Sequence, residues 1–418
     1  MVSDQVILLL TALAQLQHIW VQSAEKRKLT AALLLDLSAA FDVVDHKILL
    51  EKLTLYGLSE NTVNWFRSYL ADRYQYVMVE SKLSNPLSVG EQGVPQGSLL
   101  GPLCFLIYYN DFPAARKDGE SVVYADDDTD NVCSESPQIL QNKIQAEADS
   151  SVKWVNDNRL VCSGSKTKLL VIGSRELRKS KLEQSGLTLS VCVAGHVVKE
   201  SASEKLLGIN INNSLTWTNH LHGNEEHKGL LNKLSQRAGL IRKLSSLMPS
   251  NRLRIISNGI FFSLLNYSLP IFGSVSGLLR YAEGQERYLS MSREDSRQVQ
   301  VIINVVLRAL TKLPFETPVQ TLLEQSGLLS FHQMCAHSTM KLAHRILKTE
   351  QPEVLFSILS NHRPIGNRSR RQSVVQTKFR LSVSRESFIS QAAKLFYSLP
   401  EEIQMIRNQM IFKRETRK

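Results

Sequence analysis

Two apolar runs constrain this chain more than any other feature. Ala31 to Leu37 (AALLLDL) reads as a buried strand and ESVVYADD, residues 120–127 within the acidic stretch ESVVYADDDTDN, as another, and both run into carboxylates. The first ends in Asp36; the second, 90 residues on, carries Asp126, Asp127, Asp128 and Asp130. Like charges packed this closely repel, and each costs free energy when buried. If the two strands are neighbours, Asp36, Asp126 and Asp127 converge at one edge of a sheet. Such a cluster calls for cations, and oxygen ligands of this kind suit Mg2+. Two ions about 3.5–4 Å apart are the arrangement that serves phosphoryl transfer. In this reading Val122 to Tyr124 anchor a hairpin strand, Asp126 and Asp127 turn its corner, and Asp128 and Asp130 face solvent.

A calcium loop is the competing metal reading, because Asp126, Asp128 and Asp130 open like an EF-hand. That loop needs Gly at its sixth position and Glu at its twelfth, where this chain has Asn131 and Pro137.

With 418 residues, 43% of them hydrophobic, the chain can bury two or three cores. Its five cysteines, Cys104, Cys133, Cys162, Cys192 and Cys335, are scattered without zinc spacing and read as ordinary intracellular thiols. The apolar run near the N-terminus follows helical spacing through Val6, Leu9, Leu10, Leu13, Leu16 and Trp20, and no stretch is apolar for long enough to cross a bilayer. Charge is unevenly placed: residues 1–210 carry a net −4 and residues 211–418 a net +15. A polyanion held by the second half suits that asymmetry, as does a solvated lysine-rich helical surface.

The pattern predicts strands mixed with helices to about residue 215 and helices thereafter. A helix is expected from about Lys47 to Tyr56, closed by Gly57, then one capped by Ser59; YQYVMVE alternates like a strand; residues 137–158 read as helical, and KTKLLVIGS as a strand. Short strands follow around 188–211. Downstream, LLNKLSQRAGLIRKL puts Leu230, Leu234, Ile241 and Leu244 on one face, and TPVQTLLEQSG has Thr317 as cap, Pro318 at the first helical position and Gly327 as stop. Residues 361–380 hold six basic residues and no acid, and read as a loop or linker; within them NRSRRQ is a weak nuclear-signal candidate.

LLDLSAAFDVVDH, GVPQGSLLGPLCFLIYYND and YADD stand in the order and spacing of motifs A, B and C of the reverse transcriptases of non-LTR (LINE-type) retrotransposons, which this chain resembles. NRLVCSGSKTKLLVIG is similar to motif D, and EKLLGININ to the Leu-Gly motif that follows it. The resemblance is close over about residues 5–215 and looser beyond. It implies an α+β fold: a right-hand polymerase palm, an antiparallel sheet with packed helices, followed by a mostly α-helical thumb and C-terminal region. The domains expected are a fingers remnant or leading helix (1–30), the palm (31–215), a helical thumb-like region (216–320) and a basic helical C-terminal region (321–418).

The resemblance also implies roles. Asp36, Asp126 and Asp127 would hold two Mg2+ (or Mn2+) ions, and Leu37 would lend its backbone carbonyl. Phe41 matches the aromatic gate that excludes a ribose 2′-hydroxyl, with a core phenylalanine as the alternative. Gln96 and Gly97 would meet the incoming nucleotide or nascent base pair. Lys166 would protonate departing pyrophosphate, and Lys168 would point the same way on a strand, with solvated surface lysines as the alternative. Gly208 would belong to the turn that positions the primer terminus. Asp45 and His46 match the family pattern and read as structural. The activity implied is RNA-directed DNA polymerisation, with an RNA template, a DNA primer and dNTPs as partners, inside the cell in nucleus or cytoplasm. Only 35 residues precede Asp36, with Lys26, Arg27 and Lys28 as their basic residues, and no Cys/His zinc knuckle follows, so a truncated fragment of a retroelement reading frame is expected. A catalytically inactive nucleic-acid-binding remnant is the alternative function. A magnesium nuclease would explain the acids but not GVPQGS or Phe41.

Overall fold

The computed structural model describes residues 2–184, 186–224, 227–273, 291–361 and 387–417. Beyond Asn361, the basic stretch 361–380 and its NRSRRQ motif lie outside them. The chain divides into two compact units, one of Leu29–Val171 with Arg178–Ser201, the other of Met1–Lys28, Ile172–Leu177 and Ala202–Lys418. Helix α1 (Val2–Glu25) belongs to the second, and β1 (Leu29–Leu35) starts the first.

A six-stranded sheet forms the first unit, in the order β6-β7-β1-β8-β10-β9. Its strands are β6 (Glu120–Tyr124), β7 (Asp127–Ser134), β8 (Lys168–Ile172), β9 (Ser190–Val193) and β10 (His196–Ser201). All pairings described are antiparallel except β10 with β8. β1 is central, and six of its seven residues are buried. Its register against β7 runs from Leu29↔Ser134 to Leu35↔Asp128, so the end that leads into Asp36 meets the end of β7 that begins at Asp127.

Helix α5 (Pro137–Asp157) covers this sheet with Leu140, Ile144, Ala148 and Val155, a stripe at helical spacing that is solvent-free. Around its C-terminal half an aromatic cluster packs: Tyr109 lies 4.5 Å from Phe112 and 5.2 Å from Trp154, ring centre to ring centre. Tyr109 ends α4 (Leu100–Tyr109), the helix that the apolar run after GVPQGS predicts. α2 (His46–Leu55) and α3 (Glu60–Leu70) fall where expected, and Gly57 takes the left-handed backbone (φ 84°) that ends the first of them. YQYVMVE does not form one strand. It splits into two-residue pieces, β2 (Tyr74–Gln75) and β3 (Met78–Val79), paired with β5 (Leu87–Ser88) and β4 (Lys82–Leu83) and exposed on every residue. Alternation is present, but there is no core for either face to cover.

The second unit is mainly helical. A buried glutamine organises its start: Gln17 of α1 accepts from the Phe388 amide (2.8 Å) and donates to the Ile271 carbonyl (3.3 Å). Hairpin β11–β12 (Ser203–Leu206, Ile209–Asn212) follows a short helix α6 (Arg175–Arg178) shared by the two units and precedes α7 (Thr218–His222) and α8 (Leu230–Leu244). α8 buries Leu230, Leu234 and Ile241 as its spacing requires. The helix predicted at TPVQTLLEQSG spans Val319–Ser326 and stops at left-handed Gly327, but Pro318 rather than Thr317 stands at its N-cap. Among the described residues no helix is long and apolar enough to cross a membrane.

Candidate active site

Asp36 stands one residue past the end of β1, half-buried. Its backbone is pinned on both sides by the NRLVCSGSKTK loop: the Asp36 carbonyl accepts from Ser163 N (2.8 Å), and its amide donates to Thr167 Oγ1 (3.3 Å). Leu37 bridges Cys162, and Ser38 N donates to the Val161 carbonyl (2.8 Å). The side chain is left over. Its Oδ2 is shielded from solvent and has no hydrogen-bond partner among the described residues. An ionised oxygen in that position is costly unless a cation meets it.

Asp126 and Asp127 arrive from the other strand pair. β6 and β7 close on Tyr124↔Asp127, leaving a two-residue turn of Ala125 and Asp126. Ala125 adopts φ 56°, a left-handed conformation that costs an L-residue roughly 1–2 kcal/mol and is characteristic of functional turns. β7 lies between β6 and β1, so this turn and Asp36 share one edge of the sheet. Burial, and then the charges of Asp126 and Asp36, push the Asp127 carboxyl above the usual range, which places the three within electrostatic reach of one another. They are not drawn into a closed cage: among the described residues no three His, Cys, Asp or Glu side chains are gathered as a metal site. The donor set nevertheless fits a hard divalent cation, being all oxygen and having one buried atom without a donor.

The GVPQGS loop docks on the turn after Asp36. Gly93 N donates to the Val44 carbonyl (2.8 Å) and Val94 N to the Phe41 carbonyl (2.9 Å), while Gln96 Nε2 donates to Asp42 Oδ1 (2.8 Å). Gly93 is required there twice over: its φ is 81°, and a Cβ would lie 2.9 Å from the Asp42 carbonyl oxygen. Gly97 (φ 82°) needs only the conformation, having open space around it. Phe41 is half-buried and its ring packs on Phe105, centroids 4.6 Å apart. His46 Nε2 lies 2.7 Å from the Gly93 carbonyl and so carries the proton. Asp45 caps α2 through Ile48 N (3.0 Å) and pairs with Arg159 (2.5 Å).

Lys166 is exposed in the turn whose Ser163 is bonded to Asp36. It precedes β8, which starts at Lys168, so strand alternation does not relate the two lysines as the sequence suggested. Gly208 is in the second unit, at the two-residue turn of β11–β12.

Asp128 and Asp130 do not face solvent. Both are buried, at 2% and 0% exposure, because β7 has a strand on either side and α5 across it. Arg116, itself nearly inaccessible, holds them: Nη2 is 3.3 Å from Asp128 and Nη1 2.9 Å from Asp130, with the guanidinium 3.8 Å over the Phe112 ring. Ser121 Oγ donates to Asp130 (2.5 Å) and lies 3.1 Å from Asp128; Ser151 Oγ donates to Asp130 (3.0 Å). Burial pushes both carboxyls up, and Asp128 rises further because Asp130 lies against it, while Arg116 opposes the rise in each. One cation stands against two carboxylates, so burial raises both more than Arg116 lowers them, Asp128 the more so. Below them Glu147, 1% exposed, accepts from three consecutive amides, those of Lys117 (3.1 Å), Asp118 (2.6 Å) and Gly119 (3.0 Å), and so fixes the loop into β6. None of these partners was singled out from sequence. The available signal was parity: Asp128 and Asp130 share one face of β7, and a strand flanked on both sides has no free face.

Residues 7–211 match the family described as Reverse transcriptase (RNA-dependent DNA polymerase). This segment is a reverse transcriptase domain. The chain is similar to the probable RNA-directed DNA polymerase from transposon BS of Drosophila melanogaster, with 25% identity over 79% of this chain and 34% of that protein. It is also similar to the RNA-directed DNA polymerase from the mobile element jockey of the same species, with 24% identity over 60% of this chain and 27% of the relative. Both relatives are named as RNA-directed DNA polymerases of mobile elements, in keeping with the LINE-type motifs. The chain therefore spans about a third of the length of the curated relatives it matches. Among solved structures, telomerase from Candida tropicalis with a fragment of telomeric RNA gives a TM-score of 0.36 at 14% identity, over 75% of this chain and 51% of that one. Asp36, Asp126 and Asp127 all lie in the α+β unit and within the matched residues.

Proposed function

We propose that this reverse transcriptase domain extends a DNA primer on an RNA template, joining the primer 3′-oxygen to the α-phosphorus of a dNTP with release of pyrophosphate. The observation that carries the reading is the junction of Asp36, with its unpartnered Oδ2, and the Asp126–Asp127 turn at one sheet edge. Asp36, Asp126 and Asp127 are the residues that would hold two Mg2+ ions, assisted by the Leu37 carbonyl. Bound there, such ions activate the attacking hydroxyl and stabilise the leaving oxygen. The chain's own part is positional. The Ser163 and Thr167 bonds fix the Asp36 backbone, and the strained Ala125 turn sets Asp126 and Asp127 beside it. Phe41, braced by Phe105, would exclude a 2′-hydroxyl. Gln96, oriented by Asp42, and Gly97 would contact the nucleotide or nascent base pair, Lys166 would give a proton to pyrophosphate, and Gly208 would turn the chain where the primer ends.

Primer extension on an RNA template tests this. Asp126→Asn with Asp127→Asn is expected to lower extension by roughly 100-fold or more without loss of fold. Phe41→Ala is expected to raise ribonucleotide incorporation relative to dNTPs. Template degradation without dNTPs, dependent on the same aspartates, would replace the polymerase reading with a nuclease.

A further inference from the structure

The GVPQGS loop carries its tip, Gln96 and Gly97, outside the core. Both residues are exposed, and nothing lies within 4 Å of where a Gly97 Cβ would stand. Packing therefore does not set the conformation of the tip, which is left to hydrogen bonds. Besides the bond from Gln96 to Asp42, those bonds meet at one atom. Ser98 Oγ donates to the Pro95 carbonyl (2.7 Å), accepts from the Gly101 amide at the start of α4 (2.9 Å) and accepts from Tyr69 Oη of α3 (3.0 Å). A hydroxyl has one proton and two lone pairs, so these three bonds use its whole capacity.

The chemistry of the partners fixes each direction. A carbonyl can only accept and an amide can only donate, so Tyr69 fills the remaining lone pair as a donor. Gly101 shows how closely the ends of the loop are drawn together, because a Cβ there would run into the Pro95 carbonyl oxygen and stand 3.0 Å from Ser98 Oγ. Tyr69 reaches this clamp from a separate helix. Helix α3 turns Val63, Phe66 and Leu70 inward, which leaves Trp65 and Tyr69, one turn apart, on another face with their rings parallel (5.6 Å between centroids, 5° between planes). The stack fixes the ring, and the hydroxyl is free to tie α3 to the loop.

We propose that Tyr69 is a positioning residue for the incoming nucleotide: by saturating Ser98 Oγ it holds the span from Pro95 to Gly101 in the form in which Gln96 and Gly97 meet the nucleotide or nascent base pair, which rests on the polymerase reading above. A loop released from Tyr69 spends part of its time in other forms. A ligand that needs one form then binds more weakly in proportion to the fraction of chains that hold it. Loss of the hydroxyl thus acts on dNTP capture before it acts on the chemical step.

Steady-state incorporation of a single dNTP on an RNA template, measured with the full chain, tests this. Tyr69→Phe, which keeps the stack on Trp65, is expected to raise KM for the dNTP by about two- to tenfold, the net worth of one hydrogen bond, with kcat held within about twofold. Ser98→Ala should raise KM by at least as much, and adding Tyr69→Phe to it should change nothing further, because the two act through one contact. Tyr56→Phe, which removes an exposed hydroxyl bonded to Asn110 elsewhere in the unit, is the control and should leave both constants as they were. Amide hydrogen exchange of residues 96–101 should quicken in Tyr69→Phe while that of β1 stays the same. An unchanged KM, a fall in kcat alone, or additive effects of Tyr69→Phe and Ser98→Ala overturns the proposal. Absence of extension by the unmutated chain overturns the polymerase reading instead; exchange of residues 96–101 then still reports whether Tyr69 holds the loop, and no change there overturns the proposal as well.

Discussion

Replacing Arg116 by methionine should destabilise the sheet unit in a pH-dependent way. In the native unit Arg116 stands against two fully buried carboxylates that burial pushes up. Without the guanidinium one further buried carboxylate has to be neutralised by a proton. At pH 7 this costs about 1.4 kcal/mol for each unit above the ordinary Asp value near 3.9, or about 4 kcal/mol. At pH 5.5 the same step costs about 2 kcal/mol. The folded state of the variant binds more protons than the unfolded chain, so its deficit grows as pH rises above the ordinary carboxylate range. Hydrogen exchange of the β6 and β7 amides, residues 120–134, reads this locally, which avoids assuming that the two units unfold together. Arg116→Met combined with Asp130→Asn should recover most of the loss, because a neutral hydrogen-bonded pair remains. A loss below about 1 kcal/mol at pH 7, or an equal loss at pH 5.5 and 7, would refute the reasoning.

Turn chemistry gives a second test. Ala125→Gly should be neutral to about 1 kcal/mol stabilising in thermal unfolding, since it relieves the left-handed strain but loosens the unfolded chain. Gly93→Ala should cost more than Gly97→Ala, by roughly 1 kcal/mol, because only Gly93 adds a backbone contact to the conformational penalty. In the second unit His337 is buried, and burial with Lys341, Arg417 and Lys413 nearby lowers it to about 4. Stability from this neutral imidazole is complete above its ordinary value near 6.5 and lost as pH falls toward 4, by at most about 3 kcal/mol. Denaturant titrations of His337→Gln should show a flatter pH dependence over that window; an unchanged profile would exclude the assignment.

Much of the sheet unit could be read from the chain because its signals are local. The strand Leu29–Leu35 is apolar enough to admit no surface reading, α5 shows its stripe through Leu140, Ile144 and Ala148, and the glycines of GVPQGS mark a turn that only they can make. Tertiary neighbours decided the rest. Tyr74 to Val79 alternate as a strand should, yet alternation cannot say whether a core exists for either face, and none does among the described residues. The expectation for Lys166 and Lys168 failed over where a strand begins, which depends on the Ser163 turn anchored to Asp36. At Asp128 and Asp130 charge is a poor guide to exposure, because strand order puts β7 inside the sheet.

That placement bears on how five aspartates can share one sheet edge. Strand geometry separates them into two sets that are neutralised by different means. Asp128 and Asp130 turn inward, where Arg116 and two serine hydroxyls meet them and burial pushes both carboxyls up. Asp36, Asp126 and Asp127 remain at the open edge, with one oxygen of Asp36 unpartnered and Asp127 held above its usual range. The outer three keep their negative potential for cations entering from solvent. Arg116→Met should therefore act first on stability. Asp126→Asn and Asp127→Asn should act first on extension.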